Sequence, residues 1–160
     1  MSVLVLRPDG EASRFVGMSR EDVRDCVRQC DGMWSYEGNG ELCFEMGEPG
    51  EPPRQRIVVM SDGVGEYLMG STVMDPRGFK RRVLRKTCWE EDGSVGGSVL
   101  VVCGEELRAP ASLTHKGSVV ERVVSEWSED GVLPEVAGCH WASMSGWDPD
   151  AGVFMETGRS

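Results

Sequence analysis

The stretch LTHKGSVVERVVSEWSEDGVLP, Leu113–Pro134, decides how the chain folds. Val119, Val120, Val123, Val124 and Trp127 recur at helical spacing and form one apolar face. Glu121, Arg122, Glu126 and Glu129 fall mostly on the other side. Valine is a mediocre helix former because its χ1 is restricted against the preceding turn, so burial of this face must hold the helix. Thr114 or Ser118 is placed to cap the start, with Glu121 completing a capping box from Ser118. Gly131 and Pro134 end the helix. The expected span is about 115–129, which sets His115 at the first helical position.

A second helix is expected over about 19–31. Ser19 and Asp22 have the spacing of a capping box, and Met18 and Val23 that of a hydrophobic staple. Val23, Cys26, Val27 and Cys30 make a single apolar stripe, which Gly32 terminates. Strands lie between the helices. Val3–Leu6 opens the chain, and ELCFEM alternates between two faces. RIVVM and EYLMGS flank Asp62-Gly63, a hairpin signal. RRVLRKTCW and the apolar SVLVVC follow, and a short segment around His140-Trp141 reads as the last strand. This order predicts an α+β domain over residues 1–142, with an antiparallel sheet of about six or seven strands packed against two main helices. Residues 143–160, rich in Gly, Ser and Asp, read as a C-terminal tail or arm.

With 160 residues the chain suits one domain, and 39% hydrophobic with 28% charged residues suits a globular one. No apolar run approaches the roughly 18 residues that span a bilayer. The start, MSVLVLRPDG, lacks the basic and long apolar regions of a secretory signal, so a cytoplasmic protein is expected. The six cysteines then read as small core hydrophobes, not a disulfide framework.

The motifs for chemistry fail on spacing. DGVGEYLMG joins two strands and lacks the third glycine of a phosphate loop. DPDAG lacks the later ligands of a calcium loop, and no Cys or His pairs have zinc spacing. His115 and His140 are the only imidazole bases, and Cys139 and His140 point to opposite faces of a strand. No catalytic residue, metal site or cofactor is expected. The net charge of −10 is uneven: Arg77, Lys80, Arg81, Arg82, Arg85 and Lys86 lie in one stretch without an acid, while the remaining 11 bases face all 27 acids. That stretch reads as a strand with a cationic outer face, neutralised by Glu90, Glu91 and Asp92.

The C-terminal order is a strand (Val99–Cys103), Gly104, Pro110, Leu113-Thr114, a helix with Trp127, then Gly131, Leu133-Pro134 and Trp141. Over residues 98–141 this resembles the first-numbered immunity-protein family of bacterial polymorphic toxin systems. His115 stands where that family usually has proline. The resemblance implies a cytoplasmic antitoxin without catalysis, whose partner is a cognate toxin, often basic and often a deaminase or nuclease acting on nucleic acid. Direct contact with nucleic acid or membrane is not expected. Acidic loops with aromatic anchors are the expected contacts, because aromatics dominate interface energy and charge sets rate and orientation. The candidates are Trp34, Tyr36, Glu37, Glu48, Glu51, Trp147, Asp148 and Asp150. The rival reading is a small acidic adaptor module without a toxin partner.

Overall fold

The computed structural model describes residues 2–6, 12–17, 19, 21–22, 24–25, 41–48, 50–61, 65–87, 98–102, 105–109, 111–148 and 153–156. Its elements in chain order begin with β1 (Ser2–Leu6), β2 (Ala12–Val16), β3 (Glu41–Met46), β4 (Gln55–Ser61), β5 (Glu66–Asp75) and β6 (Gly78–Lys86). Then come β7 (Ser98–Val102), β8 (Glu105–Ala109), a 3-10 turn (Ala111–Leu113) and β9 (Thr114–Lys116). The helix α1 (Gly117–Asp130), β10 (Cys139–Asp148) and β11 (Val153–Glu156) complete the order.

The strands pair in the order β2-β1-β3-β4-β5-β6-β10-β11-β8-β7. Every described ladder is antiparallel except β11 with β8, which meet in parallel at Val153 and Arg108. β10 serves two ladders. Cys139–Ser143 pairs with β6, and the strand then shifts register at Met144–Gly146 to pair with β11. The tail expected from residue 143 therefore begins inside β10, and Val153–Glu156 returns alongside it.

Hydrophobic alternation fixes which face meets the helix. Leu42 and Phe44 of β3 stand opposite Val59 and Ile57 of β4, and Val59 stands opposite Met69 of β5. These residues, with Tyr67 and Leu84, bury against Val120, Val123, Val124 and Trp127 of α1. Each such side chain contributes about 1.5–3 kcal/mol when removed from water. The opposite face is not left to solvent, since Cys43, Leu68, Val83 and Ala142 are also buried. β7 lies against β4 without pairing with it, so the second ladder comes back toward the main sheet.

Trp127 locks the helix end. It is 1% exposed, and its Nε1 donates to Gln55 Oε1 at 3.0 Å. Gly131 closes the helix in the left-handed region (φ 72°), donating its N–H to Trp127 O at 2.8 Å. A Cβ there would approach the Met46 sulfur at 3.0 Å and the Gln55 amide at 3.3 Å.

The helix begins two residues later than expected. Thr114 and His115 are buried and pair with Leu68 and Tyr67 of β5, so the sheet takes their backbone before the helix can. Lys116 stands at the N-cap without a side-chain cap bond, and its ammonium pairs with Glu66. The capping box at Ser19 does form. Ser19 N donates to Asp22 Oδ2 at 2.8 Å, and Asp22 N donates to Ser19 Oγ at 3.2 Å. Glu21, Asp22, Arg24 and Asp25 are helical, and Arg24 Nε lies 3.5 Å from Glu121 Oε1 of α1. The rest of the expected span, 26–31, lies outside the described residues, so α1 is the one helix whose full length is described. Trp127→Ala should cost about 3–5 kcal/mol through the cavity it leaves. Gly131→Ala should cost about 1–2 kcal/mol through its left-handed backbone. Urea unfolding followed by far-ultraviolet circular dichroism checks both, and a wild-type midpoint for either variant contradicts this account of the helix end.

Candidate interaction surface

The loop joining β3 to β4 carries two of the expected contact residues. Arg54 N donates to Met46 O at 3.0 Å and Glu51 N donates to Glu48 O at 3.1 Å, which closes the loop on itself. Gly47 permits the close return, because a Cβ at that position would lie 3.0 Å from Pro53 Cα. Glu48 and Glu51 are exposed on this frame. Glu51 Oε2 lies 3.6 Å from Arg54 Nη2, with both side chains mostly in solvent. A pair so exposed is worth about 0–1 kcal/mol and does not hold Glu51 away from a partner.

The loop base meets the helix end. Met46 and Gln55, which face each other across the β3–β4 ladder, are the residues that crowd Gly131. The C-terminal turn of α1, with Glu129 and Asp130 exposed and no basic residue, therefore sits beside the loop that presents Glu48 and Glu51. Carboxylates at a helix C-terminus oppose the helix dipole. Two local uses offset part of this. Asp130 Oδ1 accepts the Val132 N–H at 2.9 Å, and Glu126 Oε1 lies 2.9 Å from Arg122 Nε. The sequence pattern had placed Glu126 and Glu129 only on the outer face of the helix. The signal for more was the run of acids before Gly131 with no Lys or Arg among them.

The remaining expected contacts are placed differently. Trp147 and Asp148 stand in β10, opposite Phe154 and Val153 of β11. Trp34, Tyr36, Glu37 and Asp150 lie outside the described residues. Glu90, Glu91 and Asp92, expected to neutralise the cationic strand, also lie outside them.

Both histidines are accounted for by position. His115 is 2% exposed, and its Nε2 donates to Leu84 O at 2.8 Å. Burial pushes its imidazole below the ordinary 6.5, against the opposing pull of the Leu84 carbonyl. Its Nε2–H is committed to a backbone oxygen inside the core. His140 is exposed, while Cys139 packs toward the core on the other face, where burial raises its thiol pKa. Among the described residues no three His, Cys, Asp or Glu side chains are grouped to hold a metal ion. No helix among them is long and apolar enough to cross a membrane.

No known protein family, curated protein or solved structure matches this chain.

Two outcomes follow. The unfolded chain takes up a proton at His115 near pH 6.5 that the folded protein resists, so the contribution of His115 to stability is complete above about that pH and falls as the pH drops below it. His115→Ala should remove that part of the pH dependence. It should also cost about 1–3 kcal/mol at neutral pH, because the Leu84 carbonyl loses this donor. An unchanged stability–pH slope between pH 7 and about pH 5 rejects the assignment. Asp130→Asn keeps the oxygen that caps Val132 and removes a charge from the helix end. It should raise stability by a few tenths to about 1 kcal/mol, read as a higher thermal midpoint at low salt.

Proposed function

We propose that the protein is a cytoplasmic immunity protein that binds and inhibits a cognate toxin domain, a basic protein acting on nucleic acid such as a deaminase or nuclease. The observation that carries this reading is the charge. A chain of net −10 presents Glu48, Glu51, Glu129 and Asp130 from a closed loop and the adjoining helix end. Such a surface steers a cationic partner and lets carboxylates occupy positions that phosphates take in a basic cleft. The protein acts by occlusion, with no catalysis of its own. The resemblance over residues 98–141 also supports the reading. Its residues are joints of the framework: Trp127 in the core, Gly131 at the helix end, and Pro134, whose carbonyl accepts Trp141 Nε1 at 3.1 Å. The same reading makes the capped turn at Ser19 the start of a second helix reaching about residue 31, in an α+β domain.

Co-expression with the toxin domain encoded beside its gene should restore growth, and the two proteins should co-elute on gel filtration. Glu48→Lys combined with Glu51→Lys should weaken the complex by about tenfold or more, equivalent to about 1.4 kcal/mol, with the larger loss at low salt. Absence of both rescue and a complex rejects the proposal.

A further inference from the structure

We infer that the second edge of β6 is a docking site for an acidic, extended segment of a partner protein, which adds to the sheet as a strand beside Gly78–Arg81. β6 has two edges. β5 occupies one of them from Gly78, opposite Asp75, to Val83, opposite Gly70. β10 occupies the other only from Arg82 to Lys86, and beyond Ser143 it turns to β11. Among the described residues, nothing pairs with the second edge of Gly78–Arg81. Alternate residues of a strand direct both N–H and C=O to the same side, so this edge offers backbone donors and acceptors to another chain.

The side chains on this edge specify which chain it accepts. Arg77, Lys80, Arg81 and Arg82 are all exposed. Lys80 and Arg82 lie on one face of β6 and Arg81 on the other, where it continues the row formed by Arg56 and Thr72. A strand with carboxylates on both faces therefore meets a cation on each. Among the described residues the acid paired with these cations is Asp75. Its Oδ1 accepts the Arg77 N–H at 2.9 Å in the hairpin turn, and its Oδ2 lies 4.0 Å from Lys80 Nζ. No described carboxylate lies within ion-pair distance of Arg81 or Arg82. Met74, 46% exposed and opposite Phe79 in the hairpin, adds apolar surface beside the charges.

Other occupants fit less well. A second copy pairing edge to edge about a two-fold axis would set these cations against their own copies, and like charges directly opposite are destabilising. Nucleic acid would find the same cations, but a phosphate backbone has no alternating amide donors and carbonyl acceptors to pair with the strand edge. The cations thus protect the edge from self-pairing and leave it open to an acidic strand.

The test uses the full chain and a short labelled peptide repeating Glu-Glu-Val-Val, which carries carboxylates on both faces of a strand, with labelled oligo-thymidylate as a second probe. Fluorescence anisotropy at low salt should show peptide binding that weakens as salt rises. Lys80→Glu with Arg82→Glu should weaken it by about tenfold or more, and Arg81→Glu alone by less. The amides of Gly78–Arg81 should gain protection from hydrogen exchange when peptide is present. No peptide binding, binding without that protection, or thymidylate binding as tight as peptide binding overturns the proposal.

Discussion

The structure depends on one contact above the others: the valine face of α1, with Trp127 at its end, pressed onto β3, β4 and β5. The helix has little else to sustain it. Its interior is rich in valine, its N-cap makes no side-chain bond, no acid lies in its first turn, and its last turn holds acids but no base. Local terms are therefore weak or adverse, and burial must outweigh them. The contact also organises what surrounds it. Trp127 fixes Gln55, Gln55 and Met46 define the base of the acidic loop, and Gly131 fits between helix and loop because it has no side chain.

Charge is distributed with similar economy. At one end of the sheet the β3–β4 loop and the end of α1 are acidic, while the β5–β6 hairpin is basic. Arg54 lies where they meet, pairing with Glu51 and accepting the Met74 N–H on its carbonyl at 2.9 Å. On the sheet itself Glu45 is 2% exposed with Arg56 3.2 Å away, so that carboxylate serves the fold. Both surfaces are exposed, so salt screens the field of each.

Elements with strong periodicity or clear turn chemistry were legible in the sequence. β3, β4, β5 and β6 follow the alternating segments around Asp62-Gly63, and α1 follows its valine spacing to an end at Gly131. The cap at Ser19 formed as its spacing required. The missed strands share a cause. β2 and β8, ASRFV and EELRA, are short and carry charge, and β11 is four residues in a stretch read as tail. β9 was hidden because Thr-His-Lys ahead of an apolar helix resembles a helix start, and only its partner on β5 makes it a strand. Of the surface, Glu48 and Glu51 were legible because proline and glycine mark an exposed loop. The acidic helix end gained meaning only once Gly131 was seen against Met46 and Gln55. That no described strand pairs with the second edge of Gly78–Arg81 depends on where β10 departs, which no local pattern encodes.

One edge of β5 is shared: β6 takes its C-terminal half and β9 its N-terminal end, with His115 reaching from β9 to the Leu84 carbonyl. This division sets contacts of very different sequence separation on one strand. The β4–β5–β6 meander closes through short connections and can form early, whereas β9 must return across the whole β7–β8 segment to find its slot. The slot lies where β6 has diverged from β5. The contacts that β9 and α1 make with β5 thus span a long stretch of sequence, so closing them costs more chain entropy than closing the β4–β5–β6 meander.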